Sequence, residues 1–327
     1  MKYRKLGKTG WDISEVSLGT WQLGGKWGQD FDEKTAMQIL ERSIEKGINL
    51  IDTADVYNDG LSEKAIGRFL KKTGKKIYIA TKAGRKLVPH NSEGYNRENI
   101  SRFVDESLKR LDLETIDLLQ LHCPPTDVYG RQEVFDFLED LKSKGKIQNY
   151  GVSVEKVEEA LRSLDYPGVA TVQIIYNMFR LKPAMEFFDQ AHKKDVGIIV
   201  RVPLASGLLT GKFDKDSTFS DGDHRNFNRE GEFFDKGETF SGVPYGIGLK
   251  AVEELKKIFN TAEIAKYALK WVLMDERVSC VIPGASKEEQ VITNTEVSEL
   301  KPLTNEQMEA VVSVYDDYIR EHVHGLW

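Results

Sequence analysis

The chain has 327 residues, 40% of them hydrophobic and 30% charged, a balance that supplies a sizeable buried core and does not fit a disordered polymer. Its net charge of −6 excludes a general polyanion binder, which needs a concentrated basic face, so no nucleic-acid partner is expected and any phosphate site must be local. Two cysteines without CxxC spacing exclude a disulfide framework and a zinc cluster, and no run approaches the roughly 18 apolar residues of a membrane helix, so a soluble, cytoplasmic protein without a membrane partner is expected.

Segments 3–6 and 11–14 flank Gly7-Lys8-Thr9-Gly10 and predict a small hairpin able to plug one end of a barrel. Short β-branched runs then alternate with longer segments of helical period, the pattern of a parallel sheet wrapped by helices. Strands are expected at 16–19, 49–52, 77–81, 116–121, 149–153, 171–175, 197–202 and 279–282. Helices are expected at 33–46, 96–111, 131–143, 154–164, 183–194 and 261–274, with Ser62 as a helix cap and Gly47 and Gly145 ending two helices. Residues 212–246, rich in Asp, Gly, Phe and Asn, are too long for an ordinary connection and predict a lid or binding loop. Segments 287–294 and 305–320 look helical, and no boundary divides the chain. The expectation is one α/β domain over 1–327, a (β/α)8 TIM barrel with an N-terminal hairpin plug and C-terminal helices.

Such a barrel does its chemistry at the carboxyl ends of the strands. Asp52 and Tyr57 in NLIDTADVY, Lys82 ending IYIATK and His122 ending DLLQLH come from consecutive predicted strands. Together they suit carbonyl reduction, in which hydride addition generates an alkoxide that needs a proton and a stabilising environment. Tyr57 supplies the proton, Lys82 is expected to lower the Tyr57 pKa, Asp52 holds Lys82, and His122 donates a hydrogen bond to the substrate oxygen. Singly, each residue has a plainer role: Asp52 as a strand-end cap, Tyr57 as packing, Lys82 as a solvated charge, His122 as a structural residue.

The motifs GTWQLGG (19–25), NLIDTADVY (49–57), ATKAG (80–84), LLQLHCP (118–124), GVS (151–153), VQIIYN (172–177), PLASGLLTGK (203–212) and IPGAS (282–286), in this order, resemble the aldo-keto reductase family along nearly the whole chain. The resemblance implies NADPH-linked interconversion of small-molecule aldehydes or ketones with alcohols, and the tetrad Asp52, Tyr57, Lys82 and His122. It also implies cofactor positions. Gly19, Thr20 and Trp21, with Asp52, lie near the nicotinamide, and Ser153 and Gln173 hold its carboxamide. Leu204, Gly207 and Lys212 serve the pyrophosphate, with Pro203, Ser206, Leu209 and Gly284 also against the cofactor. Ser286, Lys287, Gln290 and Asn294 serve the adenosine 2′-phosphate and adenine, and Lys287 at a helix start favours NADPH/NADP+ over NADH.

Two positions depart from the family pattern. Arg201 stands where an aromatic residue usually stacks on the nicotinamide, and Val154 where Asn is common. Arg201 has two open readings: a guanidinium stacked on the ring, disfavouring the cationic oxidised form, or a partner for a substrate carboxylate, which would favour keto acids. Trp21, Trp27, Tyr129, Phe227, Phe233 and Phe234 are candidates for an apolar pocket wall or for loop packing. A metal-dependent hydrolase barrel is disfavoured because no HxH pair lies on a strand and His322-Val323-His324 falls outside the barrel pattern, so no metal is expected. The alternative to an enzyme is a nicotinamide-nucleotide-binding redox sensor or regulatory subunit with little turnover. Nothing in the sequence selects an oligomeric state.

Overall fold

A computed structural model describes residues 1–25 and 30–327, so the expected pocket residue Trp27 lies outside the described residues. The hairpin forms as expected: β1 (Tyr3–Lys5) pairs antiparallel with β2 (Asp12–Ser14). Eight parallel strands follow: β3 (Leu18–Gly19), β4 (Leu50–Asp52), β5 (Tyr78–Ala83), β6 (Ile116–His122), β7 (Ile147–Ser153), β8 (Val169–Ile175), β9 (Gly197–Arg201) and β10 (Val278–Val281). Each neighbours the next in chain order. Parallel bridges Val16–Val281 and Gly19–Gly284 join the last strand to the first, an arrangement consistent with a (β/α)8 barrel.

The helices between strands are α1 (Glu33–Glu45), α2 (Leu61–Thr73), α3 (Arg97–Leu111), α4 (Gln132–Ser143) and α5 (Val157–Ser163), then α6 (Lys182–Glu186) and α7 (Phe188–Lys193). After β9 come α8 (His224–Phe227), α9 (Tyr245–Phe259) and α10 (Ala265–Leu273), and after β10 come α11 (Glu288–Thr295), α12 (Asn305–Val314) and α13 (Arg320–Val323). Gly47 and Gly145 take the left-handed backbone expected past a helix end. Three expectations need correction. Ser62 is not a cap: it lies in the first turn of α2, and its hydroxyl is buried against Thr53 Oγ1 and Thr20 Oγ1, both at 2.9 Å. The helix at 183–194 is broken between Glu186 and Phe188. The helix expected over 305–320 gives way at Tyr315–Ile319 to a π-helical turn, where one extra residue per turn rotates the following side chains.

Strand alternation sorts the barrel interior into layers. Leu50, Ala80, Leu118, Ile199 and Cys280 point inward and pack against Leu6, Trp11 and Ile13 of the hairpin, with Trp11 stacked on Tyr78 at 4.3 Å. The hairpin thus closes the amino end of the strands with apolar surface, each large side chain contributing about 1.5–3 kcal/mol on burial. Two residues further along four of these strands the inward positions become Asp52, Lys82, Gln120 and Arg201, and Gln173 of β8 joins that layer. A polar layer at the carboxyl end therefore rests on a dry floor.

Candidate active site

Lys82 and Asp52 are almost wholly buried, at 1% and 2% exposure, and pair at 2.5 Å. The Lys82 ammonium also donates to the Thr53 carbonyl at 2.8 Å and lies 3.2 Å from the Tyr57 hydroxyl. Asp52 spends its second oxygen on Gln173 Nε2 at 2.7 Å and Gln120 Nε2 at 3.2 Å. The carboxylate is fixed from both sides, as a buried charge must be if it is not to cost several kcal/mol. Burial works against the Lys82 charge, but Asp52 and the phenol hold its pKa above the ordinary value.

Tyr57 follows β4 in a turn with left-handed residues at Asn58 and Asp59 and is partly exposed. Trp21 meets it edge-on at 5.2 Å and His122 at 6.1 Å. The expectation that Lys82 lowers the Tyr57 pKa needs correction: the packed surroundings push it above 10, Asp52 and Glu238 add to that, and Lys82 only opposes them. His122 is driven well below its usual value by burial and by the charges of Arg85, Lys82 and Arg201, so it is a neutral imidazole at pH 7. Its Nδ1 is buried without a partner among the described residues.

The expected cofactor residues fall near or after the carboxyl ends of the strands. Thr20 is tied to the Asp52 carbonyl through its N–H (3.0 Å) and hydroxyl (2.9 Å), and Gly19 is required because a Cβ there would sit 2.5 Å from the Ile282 carbonyl oxygen. Ser153 is buried beside Cys123 Sγ at 3.5 Å. Gln173, expected at a carboxamide, has its amide nitrogen committed to Asp52 and Gln120, which leaves its oxygen for that role. Pro203 and Leu209 are buried, Leu204 is partly so, and Gly207 adopts φ +98 beside the Phe213 ring. The Ser206 hydroxyl holds the long loop, donating to the Glu238 carbonyl and accepting from the Phe240 N–H. Exposed Lys212 lies 3.5 Å from Glu263. At the second locus, Gln290 accepts from the Ser286 N–H at 2.7 Å, Asn294 donates to the Gly284 carbonyl, and exposed Lys287 immediately precedes α11 without an ion pair among the described residues. Lysine charge and first-turn N–H groups make this helix start a fit for a phosphate, and the glycines at 19 and 207 allow close backbone approach.

Arg201 is not poised to stack freely. Its NH2 donates to Glu155 at 2.7 Å, to the Val154 carbonyl at 2.9 Å and to Cys123 Sγ at 3.6 Å, and its NH1 lies 3.7 Å from Glu238. Arg85 bridges the same carboxylates, to Glu238 at 2.7 Å and Glu155 at 3.2 Å. Burial, with the Glu238 charge, pushes the Glu155 carboxyl above the usual range, while Arg85 and Arg201 overcome burial to hold Glu238 below it. Cys123, Glu155 and Glu238 offer ligand atoms within 4.8 Å of one another, but both carboxylates already take guanidinium donors, whose charges repel a cation. Of the expected wall residues, Trp21 and Phe234 meet at 6.1 Å above Tyr57, together with His224. Phe227 packs on Phe233, which is 74% exposed, and Tyr129 is buried in the core.

Sequence reasoning missed Gln120, Arg85, Glu155 and Glu238. Gln120 was findable, because period-two alternation places it with Leu118 and His122 on the inward face of β6. Glu238 carries no local signal, since only the fold of the long loop brings it to the barrel mouth.

A profile of the Aldo/keto reductase family matches residues 15–316. Aldo-keto reductase YhdN of Bacillus subtilis is 30% identical over 306 residues, 91% of this chain and 89% of that protein. A probable voltage-gated potassium channel subunit beta of Arabidopsis thaliana is 31% identical over 320 residues, 93% of each. Among solved structures, the holo form of aldo-keto reductase AKR11C1 from Bacillus halodurans superposes with a TM-score of 0.77 at 27% identity, covering 96% of each chain. Glycerol dehydrogenase AKR11B4 from Gluconobacter oxydans also gives 0.77, at 30% identity over 98% of this chain and 96% of that one. Sequence profile, curated relatives and barrel architecture agree, and the chain belongs to the aldo/keto reductase family of oxidoreductases.

Proposed function

We propose that this protein, as one barrel domain, reduces small-molecule aldehydes or ketones to alcohols with NADPH, using Tyr57 as proton donor. The observation that carries this reading is the chain Tyr57–Lys82–Asp52, with contacts of 3.2 and 2.5 Å at the carboxyl ends of adjacent strands. When bound, the reduced nicotinamide supplies the hydride. Tyr57, protonated at pH 7, gives its proton to the carbonyl oxygen as negative charge develops there. Lys82, held by Asp52 and the Thr53 carbonyl, stabilises the phenolate left behind. Neutral His122 donates a hydrogen bond to the same oxygen, and the rings of Trp21 and Phe234 exclude water from it.

For the cofactor, Thr20, Trp21, Ser153 and the Gln173 oxygen would hold the nicotinamide end, and Ser286 and Lys287 at the start of α11 the 2′-phosphate. Tyr57→Phe removes the proton while preserving the ring, so kcat should fall at least a hundredfold with NADPH binding retained, read by NADPH oxidation at 340 nm and by fluorescence titration. Equal kcat in both proteins would overturn the assignment. The likeness to channel β subunits favours a second reading, a nucleotide-binding regulatory subunit. Tight NADPH binding without turnover on a panel of aldehydes, ketones and keto acids would select it.

A further inference from the structure

Four charged side chains meet beside the tetrad, and three belong to the barrel mouth: Arg85 shortly after β5, Glu155 after β7 and Arg201 ending β9. The fourth, Glu238, comes from the long loop. Glu155 is built in, for its backbone N–H is held by Glu159 at 3.0 Å and its two oxygens take Arg201 and Arg85. The Glu238 carboxylate is held by Arg85 at 2.7 Å with Arg201 at 3.7 Å, whereas its loop is anchored separately, through the Glu238 carbonyl accepting from the Ser206 hydroxyl. Exchanging this ion pair for an incoming carboxylate therefore requires a side-chain rotation and no opening of the loop. Two guanidinium donors of the cluster, Arg85 NH1 and Arg201 Nε, are buried and have no acceptor among the described residues. An unsatisfied buried donor is destabilising, and an incoming acceptor would satisfy it.

The cluster faces the reacting centre. Arg201 touches Cys123, the residue after His122; Arg85 lies 5.8 Å from the Phe234 ring, which meets Trp21 over Tyr57. With Glu238 in place, two guanidiniums meet one carboxylate held ionised and a second, Glu155, whose burial favours its neutral form; with Glu238 swung out, at least one positive charge is left uncompensated in a buried setting. Only an anion restores the balance, and the group that already fits is a carboxylate.

We propose that Arg85 and Arg201 form the receptor for a carboxylate carried by the carbonyl substrate, and that Glu238 fills it as an internal stand-in until the substrate displaces it. The inference rests on the reductase reading and narrows its substrates to oxo acids. Arg85 and Glu238 determine specificity, whereas proton transfer stays with Tyr57.

The test compares matched pairs, succinic semialdehyde with its amide and pyruvate with pyruvamide, through kcat/KM in wild type, Arg85→Gln, Glu238→Gln and the double variant. It adds calorimetric titration with succinate and succinamide, with and without NADP+. The acid-to-amide ratio should fall about tenfold or more in Arg85→Gln and rise in Glu238→Gln, and succinate binding should weaken and tighten in parallel. The double variant removes both members of the pair and leaves no buried unpaired charge, so it reports on the receptor even where Arg85→Gln folds poorly. Its ratio should fall with that of Arg85→Gln. Ratios and succinate affinity unchanged across the variants overturn the receptor while leaving the reductase intact. Arg85-dependent succinate binding without turnover of any carbonyl supports the receptor and overturns the reductase.

Discussion

Replacing Asp55 by Asn tests how the protein accommodates a carboxyl group that nothing solvates. Asp55 is fully buried between Asp52 and Tyr57 in sequence, its N–H reaches the Lys82 carbonyl at 3.3 Å, and neither of its carboxylate oxygens has a partner among the described residues. Burial, reinforced by the Glu63 charge, raises its pKa from 3.8 to about 7. Below about pH 4 the group is protonated in both folded and unfolded chains, and the stability it contributes is fully present. Between there and about pH 7 only the folded chain keeps the proton, so stability falls as pH rises, and above pH 7 the full cost remains. A displacement of this size is worth on the order of 4 kcal/mol, of which about 3 kcal/mol falls between pH 5 and pH 8. Asn keeps the shape and cannot ionise. Urea unfolding of both proteins at the two pH values, followed by tryptophan fluorescence, should show wild type losing about 3 kcal/mol more than Asp55→Asn on going to pH 8. The same pH dependence in both proteins, within about 0.5 kcal/mol, would refute the reasoning, because it would mean that Asp55 ionises in the folded chain as easily as in water.

Three further outcomes are expected. Lys82→Gln strands the buried Asp52 carboxylate and should cost about 3–5 kcal/mol in chemical denaturation, part of which Asp52→Asn in the same chain restores. If, as proposed, the exposed ammonium at the start of α11 serves only the 2′-phosphate, Lys287→Ala should weaken NADP+ about tenfold in fluorescence titration and leave NAD+ unchanged; equal losses for both would count against that placement. Trp327, stacked on Arg180 at 4.1 Å and donating to Asp235 at 2.7 Å, pins the loop that carries Glu238. Trp327→Ala should cost about 3–5 kcal/mol and speed proteolytic cleavage between residues 228 and 243.

Much of this protein was legible in its sequence because the determinants are local. Strands repeat with period two and helices with a period near 3.6, so the eight parallel strands appear within a few residues of their expected bounds, and the hairpin with its expected pairing. The positions of the candidate tetrad were legible for the same reason: Asp52, Lys82 and His122 lie at the ends of inward-facing alternations, where a barrel gathers polar side chains over an apolar floor. What the tertiary structure alone decided is partnership. Gln173 gives its amide to Asp52, Tyr57 is protonated more firmly than a neighbouring lysine suggests, and Arg201 is clasped by Glu155 rather than free to stack. Residues 85, 155, 201 and 238 share one cluster only because barrel closure and the long loop bring distant positions together, and which charge faces which depends on that closure, not on any pattern along the chain.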